Sequence, residues 1–292
     1  MDFIINELSA NFQYATLNDL INQGLRGLSS VLTKIREYGF SNILKKTDFW
    51  QIQLLPGQTL QTLCFSQESR RNDAFRKIKS QIASFQNEPF WDLDSKQKAN
   101  TDYFLEKEGE STPVNNSGIA EAYERSDCLI SFCHGNFDYE SLNVKTFYCQ
   151  ESNTGVVANV WNVEILLDVL FKRKVLDMSQ FIKEKFNKKL NFEGISEDNG
   201  LNLINAENYK IFYKSFQEFE QMTWNQIKTS DAFDYKSFKK NRKSRDYFSL
   251  DNWNKGIYKF RIDSKIRCFG YVDNQVFHML RIDLDHVLSD KG

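Results

Sequence analysis

The sequence predicts an α+β protein in two parts: a mixed α/β N-terminal domain over residues 1–195 and a small C-terminal domain over 196–292. Three observations lead there. Segments with helical spacing alternate with short β-branched runs through the first two thirds of the chain. Gly194–Gly200, with Ser196, Asp198 and Asn199, has the make-up of a linker, and the composition changes after it. Three strand-like runs, Ile257–Ile262, Ile266–Val272 and Gln275–Asp283, close the chain, parted by Asp263-Ser264 and Asp273-Asn274. Loops this short force neighbouring strands to be antiparallel.

Phe3-Ile4-Ile5 reads as a strand or docked arm. Thr16, with Asp19 three residues on, marks a helix start. Leu17, Leu20, Ile21, Leu28, Val31, Leu32 and Ile35 continue it, and Gly39 stops it. A second helix is expected from Glu68 to Phe85, with Phe75, Ile78 and Ile82 inward and Arg70, Arg71, Arg76, Lys77 and Lys79 on a solvated face. Residues 92–116 read as a long polar loop. Ser117 should cap a short helix to Arg125. Cys128–Cys133 and Leu142–Cys149 should be neighbouring strands, with His134 just after the first. Asn162 should cap a helix through Phe171, and another helix should cover Ser179–Phe186. Tyr209, Phe212, Tyr213, Phe216 and Phe219 give Ala206–Ile227 the pattern of one long helix with an aromatic core face.

Register decides what the C-terminal strands can do. A three-residue loop, Asp263-Ser264-Lys265, sets Phe260 opposite Cys268 on an apolar face and Arg261 opposite Arg267 on the other. A two-residue loop would place Arg267 beside Phe260 on the packed face, which is costly for a charge. With a two-residue second turn, His278 falls opposite Phe269. The polar face then carries Lys259, Arg261, Arg267, Phe269, Tyr271 and His278, with Lys265 in the turn and His286 beyond the last strand. Guanidinium groups bind phosphate through two parallel bonds, aromatic rings stack on unpaired bases, and histidine moves protons. Arg261 and Arg267 are therefore candidates for stabilising a transition state in RNA cleavage, and His278 for acid or base. Lys239, Lys240, Arg242, Lys243 and Arg245 would hold phosphates, helped by Lys259, Lys265 and Tyr271. Arg and Lys on the wet face of a sheet are also ordinary, and a lone histidine is more often a packed residue than a catalyst.

Net charge is −1 over 292 residues, so any polyanion surface must be local. From Lys228 to Arg267 there are twelve Lys plus Arg against five Asp and no Glu, which supplies one. The 25 Phe and only 3 Pro favour a large ordered core over disorder. Five cysteines without C-x-x-C spacing suggest buried thiols in a reducing cytoplasm rather than a zinc site or disulfides. No signal peptide or membrane span is expected. No phosphate-loop, dinucleotide, nucleophile-elbow or H-E-x-x-H motif is present, so no cofactor or metal is expected.

The order of a basic helix, G-I-Y-K-F-R-I, K-I-R-C-F-G-Y and a third strand ending near D-H resembles the C-terminal half of the RelE/ParE toxin superfamily over about residues 205–290. The resemblance implies two helices packed on a three-stranded antiparallel sheet and a metal-independent, toxin-like endoribonuclease acting on RNA at the ribosome. Arg261 and Arg267 fall where such members carry strand basics, and His286 where some place a catalytic residue. No first strand precedes the helices, no helix follows the last strand, and the terminal Tyr of many members is missing. F-I-I-N-E-L-S, E-P-F-W-D and L-I-S-F are similar to stretches of bacterial proteins from defence islands. That similarity implies a toxin-like effector held in check or targeted by the N-terminal part, with an antitoxin or defence-system protein as partner, in anti-phage or toxin-antitoxin defence. The alternative is a non-catalytic adaptor that binds RNA or protein through the same face. A gyrase poison, as some relatives of the superfamily are, is a third reading.

Overall fold

The computed structural model describes every residue except 12, 13, 134, 136, 242, 243, 287 and 289–292, with the backbone alone for 68, 70 and 245. It is a mixed α+β structure in two compact units, Met1–Val169 and Leu170–Gly292. The sequence placed the division at 195/196. Residues 170–195 join the second unit because Phe181 and Phe186 pack on the aromatic helix Tyr209–Gln221. The expected linker is bonded to the last strand: Ser196 N–H donates to Leu280 O at 2.9 Å, and Ile282 N–H donates to Asn199 O at 2.7 Å.

In the first unit, β1 (Phe3–Ile5) leads into α1 (Leu17–Asp19), a π-helical turn at Leu20–Leu25 and α2 (Arg26–Glu37). Thr16 caps this run as expected, accepting from Asp19 N–H, and Gly39 ends it at φ +80°. Then come β2 (Ile43–Leu44), β3 (Gln53–Leu55), β4 (Gln58–Thr59), α3 (Leu60–Phe65), α4 (Gln67–Arg71) and α5 (Asp73–Ala83). The single helix expected over 68–85 is broken at Asn72, whose extended backbone and side chain cap α5 instead. Next are β5 (Asp102–Lys107), β6 (Glu110–Pro113), α6 (Gly118–Arg125), β7 (Cys128–Ile130), β8 (Ser141–Tyr148), β9 (Glu151–Val160) and α7 (Val163–Lys172). The expected loop over 92–116 thus contains a hairpin. Glu108 and Gly109, both at positive φ, make its two-residue turn. Ser117 and Asn162 cap α6 and α7 as expected.

The sheet order is β2-β1-β7-β9-β8-β5-β6. β2, β1, β7 and β9 run parallel, and β8, β5 and β6 follow antiparallel. β9 separates β7 from β8, which the sequence had placed side by side. Chain connections diverge at the C-terminal ends of β1 and β7, where open sheets of this kind usually leave a ligand crevice. Here buried polar side chains occupy the position. Asn6 donates to Ser131 Oγ at 2.8 Å, Ser131 donates to Asn159 Oδ1 at 2.6 Å, and Asn159 donates to the Phe137 and Tyr139 carbonyls. His134 lies outside the described residues.

Glu7, 6% exposed, accepts from the Gly118 N–H at the start of α6. Burial pushes its carboxyl from the ordinary 4.5 up to about 7, against its hydrogen bonds to backbone N–H groups and the Lys46 charge. The folded chain therefore holds a proton that the unfolded chain releases. Stability of this unit should fall as pH rises from about 4.5 to about 7, by roughly 3 kcal/mol, and level off above. Urea unfolding across that range should show the slope, and Glu7→Gln should flatten it. A wild-type midpoint that climbs with pH would refute it.

The second unit holds the end of α7, α8 (Met178–Lys185), β10 (Leu190–Asn191), α9 (Tyr209–Gln221), α10 (Trp224–Thr229), β11 (Lys236–Phe238), α11 (Leu250–Lys255), β12 (Ile257–Arg261), β13 (Arg267–Asp273) and β14 (Val276–Asp283). The expected long helix is interrupted at Thr223, which forms a capping box with Gln226 and starts α10. The sheet has five strands, β10-β14-β13-β12-β11, around the expected three-stranded meander, and β10 is parallel to β14. Glu220 at the end of α9 accepts from the backbone N–H groups of Lys188, Lys189 and Leu190 and so anchors β10.

Of the five cysteines, Cys64, Cys128 and Cys268 are buried, Cys133 is half-buried and Cys149 is exposed. Among the described residues no helix is long and apolar enough to cross a membrane.

Candidate nucleic-acid interface

The first hairpin has the expected register: Phe260 opposite Cys268 and Arg261 opposite Arg267. The second turn is Asn274-Gln275, both at positive φ, so His278 lies opposite Tyr271 rather than Phe269. Both faces of the sheet are packed. Phe260 and Phe277 meet Phe219 and Phe233 on one side. On the other, Phe238, Phe248, Ile257 and Phe269 form a second core with Trp253 against it. The face expected to be wet is therefore largely dry.

This decides what its cations touch. Arg267 is 5% exposed. Its guanidinium donates to the carbonyls of Asp263 at 2.7 Å, Ile266 at 2.9 Å and Ser264 at 3.4 Å, closing the β12–β13 turn. Burial, then Arg261 beside it, press its pKa below the ordinary range, while Asp234, Asp263 and Asp283 oppose the shift. Arg261 lies 3.4 Å from Asp234, which Lys236 also meets at 2.9 Å. Burial pushes the Asp234 carboxyl up, but Lys236 and then the two arginines outweigh it and hold the group low. Lys259 is 7% exposed and sits over the Phe238 ring. His278 stacks flat on Tyr271 at 4.7 Å, with Lys255 over the Tyr271 ring at 4.2 Å. Four residues of β13, about 13 Å, separate Tyr271 from Arg267, so His278 and the paired arginines do not converge on one phosphate.

The remaining expected residues are scattered. Lys239, Lys240 and Lys265 are exposed, Lys240 lying over Trp253. Arg245 opens a short 3-10 turn, with its side chain outside the description. Arg242 and Lys243 lie outside the described residues. His286 is half-buried at φ 62°, three residues past Asp283, which pairs across from Arg267.

A different set comes together at the turn end of the sheet. Trp224, Tyr235 and Tyr258 line a cleft of about 490 Å³ with Lys228, Lys255 and Gln275. The α10 capping box presents Trp224, whose indole N–H donates to Gln275 O at 2.9 Å. Tyr235 stacks on Tyr258 at 5.3 Å and 10°, and meets Trp224 edge-on at 6.1 Å. Burial, then Tyr258, push the Tyr235 hydroxyl pKa up, so it stays a neutral donor. Lys228 and Lys255 are exposed at the rim. The sequence hid this group because its members come from α10, α11, β12, the segment before β11 and the β13–β14 turn. The available signal was tyrosine and tryptophan where phenylalanine would suffice for a core, since a polar-tipped ring marks a half-wet position.

Compared with family models, with curated proteins and with solved structures, the chain gives no match.

Proposed function

We propose that this chain is a non-catalytic RNA-binding protein whose second unit holds unpaired RNA in the Trp224–Tyr235–Tyr258 cleft. The carrying observation is aromatic faces and two exposed lysines around one cleft of nucleotide size. Rings of this kind accept any base by stacking, and lysines beside them meet the phosphates. Charge supports the reading: residues 170–292 carry 23 Lys plus Arg against 17 Asp plus Glu, although the whole chain is at −1. The endoribonuclease reading is weaker because Arg267 is engaged by turn carbonyls, Arg261 by Asp234, and His278 stands apart from both. A defence-system setting for the adaptor rests only on the resemblance carried by F-I-I-N-E-L-S, E-P-F-W-D and L-I-S-F.

Fluorescence anisotropy with labelled oligouridine tests this. Binding should weaken with salt and exceed that of a duplex of equal length. Trp224→Ala should cost about tenfold or more in affinity, the worth of one stacked base. Lys228→Ala with Lys255→Ala should reduce the salt dependence. The wild-type protein should leave the RNA intact. Absence of binding, or cleavage that Arg261→Ala abolishes, would overturn the proposal.

A further inference from the structure

The first unit has a cleft of its own, of about 750 Å³, where the β8–β9 hairpin outruns the core. Val144 and Val157 are the last inward residues fully covered, and the outer rungs pair Thr146 with Asn153 and Tyr148 with Glu151. Gly155 shapes the floor. A Cβ there would lie 2.6 Å from the Tyr123 ring, so only glycine lets that ring cross the strand. Tyr103 braces Tyr123 edge-on at 6.3 Å and donates its hydroxyl to Glu124 at 2.8 Å. Lys98 stands 3.2 Å from the other Glu124 oxygen. Tyr148 is 48% exposed at the mouth, and the Thr101 hydroxyl is buried in the wall with no partner.

We infer that this cleft binds a neutral saccharide. Two carboxylates against one lysine repel an anionic ligand. An apolar ligand would desolvate the exposed Asn153 and Glu151 without replacing their bonds to water, and would leave Thr101 Oγ1 without a partner. An ammonium would pair with carboxylates, but Glu124 is already matched by Lys98 and Tyr103, leaving Glu151 alone. A sugar ring fits all the groups. Its hydroxyls donate to carboxylate and to the threonine oxygen and accept from the asparagine amide. Its C–H face lies on the exposed Tyr148 ring.

Saturation-transfer NMR on the full chain tests the assignment, using neutral trisaccharides of glucose, mannose and N-acetylglucosamine, with spermidine and uridine monophosphate as competing ligands. At least one saccharide should receive saturation and spermidine none, and saturation of the nucleotide at the Trp224 cleft should disappear in Trp224→Ala. Tyr148→Ala, a change at an exposed position, should weaken that saccharide about tenfold, an aromatic contact's worth. Thr101→Val keeps the shape and removes the unpartnered oxygen, so the fold should be no less stable while saccharide affinity falls. Trp224→Ala should leave saccharide binding alone, which separates this site from the RNA cleft. The inference fails if no saccharide binds, if both variants bind as the wild type does, or if spermidine or the nucleotide takes the cleft instead.

Discussion

Gly270→Ala should destabilise the second unit by about 3 kcal/mol, among the larger effects a single methyl can have. Gly270 sits mid-sheet, where the register of β13 against β14 shifts between Phe269 and Gly270. A Cβ at this position would lie 2.1 Å from the His278 carbonyl oxygen and 2.7 Å from the Phe277 ring. The first is backbone held by its own ladder, and the second is a fully buried ring, so neither can yield cheaply. Relief requires the two strands to part. Tyr258 pairs across from Gly270, so the same motion should disturb the proposed RNA cleft and lower affinity together with stability. Gly135 has open space around it, and Gly135→Ala should stay within about 0.5 kcal/mol of the wild type. Guanidinium unfolding of the two variants, followed by tryptophan fluorescence, provides the comparison. Equal midpoints would mean that β14 accommodates the methyl and that the bulge is not a fixed point of the fold.

Local signals in the sequence were readable where one residue decides the outcome. Thr16, Ser117 and Asn162 cap the helices their positions implied, because a side-chain oxygen facing bare N–H groups acts over only three residues. The Arg261–Arg267 pairing has the expected register but not for the expected reason, since Arg267 is buried in it too and its charge is met by three turn carbonyls. Wetness of the face was not readable. Phe269 and Ile257 share it with the arginines, and their partners, Phe238 and Phe248, come from a stretch whose basic residues suggested solvent. The second turn was ambiguous because Asp273, Asn274 and Gln275 offer adjacent two-residue turns, and the shift at Gly270 lets β14 take the later one. β9 went unseen because its first half, Glu151–Thr154, projects beyond the core and has no apolar alternation to reveal it. The Trp224–Tyr235–Tyr258 cleft depends on α10, α11, β12, the segment before β11 and the β13–β14 turn meeting, and no spacing along the chain encodes that.

Arg267→Ala should cost about 3 kcal/mol of stability while leaving RNA affinity, measured on the folded protein, unchanged. Removing the guanidinium strips donors from the carbonyls of Asp263, Ser264 and Ile266 at a tight turn, two of the three donor contacts lying at 2.9 Å or less. It also removes a positive charge that acts on Asp283, 9% exposed, and on Asp234. Arg267→Lys should restore only part of the loss, since an ammonium supplies the charge but cannot reach carbonyls on two sides with a planar fork. The two roles available to this residue predict opposite patterns. A group that binds phosphate could be removed with little effect on folding but with a clear loss of affinity and a shallower salt dependence. A group that closes the turn shows the reverse. Thermal unfolding and anisotropy on the same preparations separate them, and a stable Arg267→Ala protein that no longer binds or cuts RNA would return the arginine pair to the centre of function.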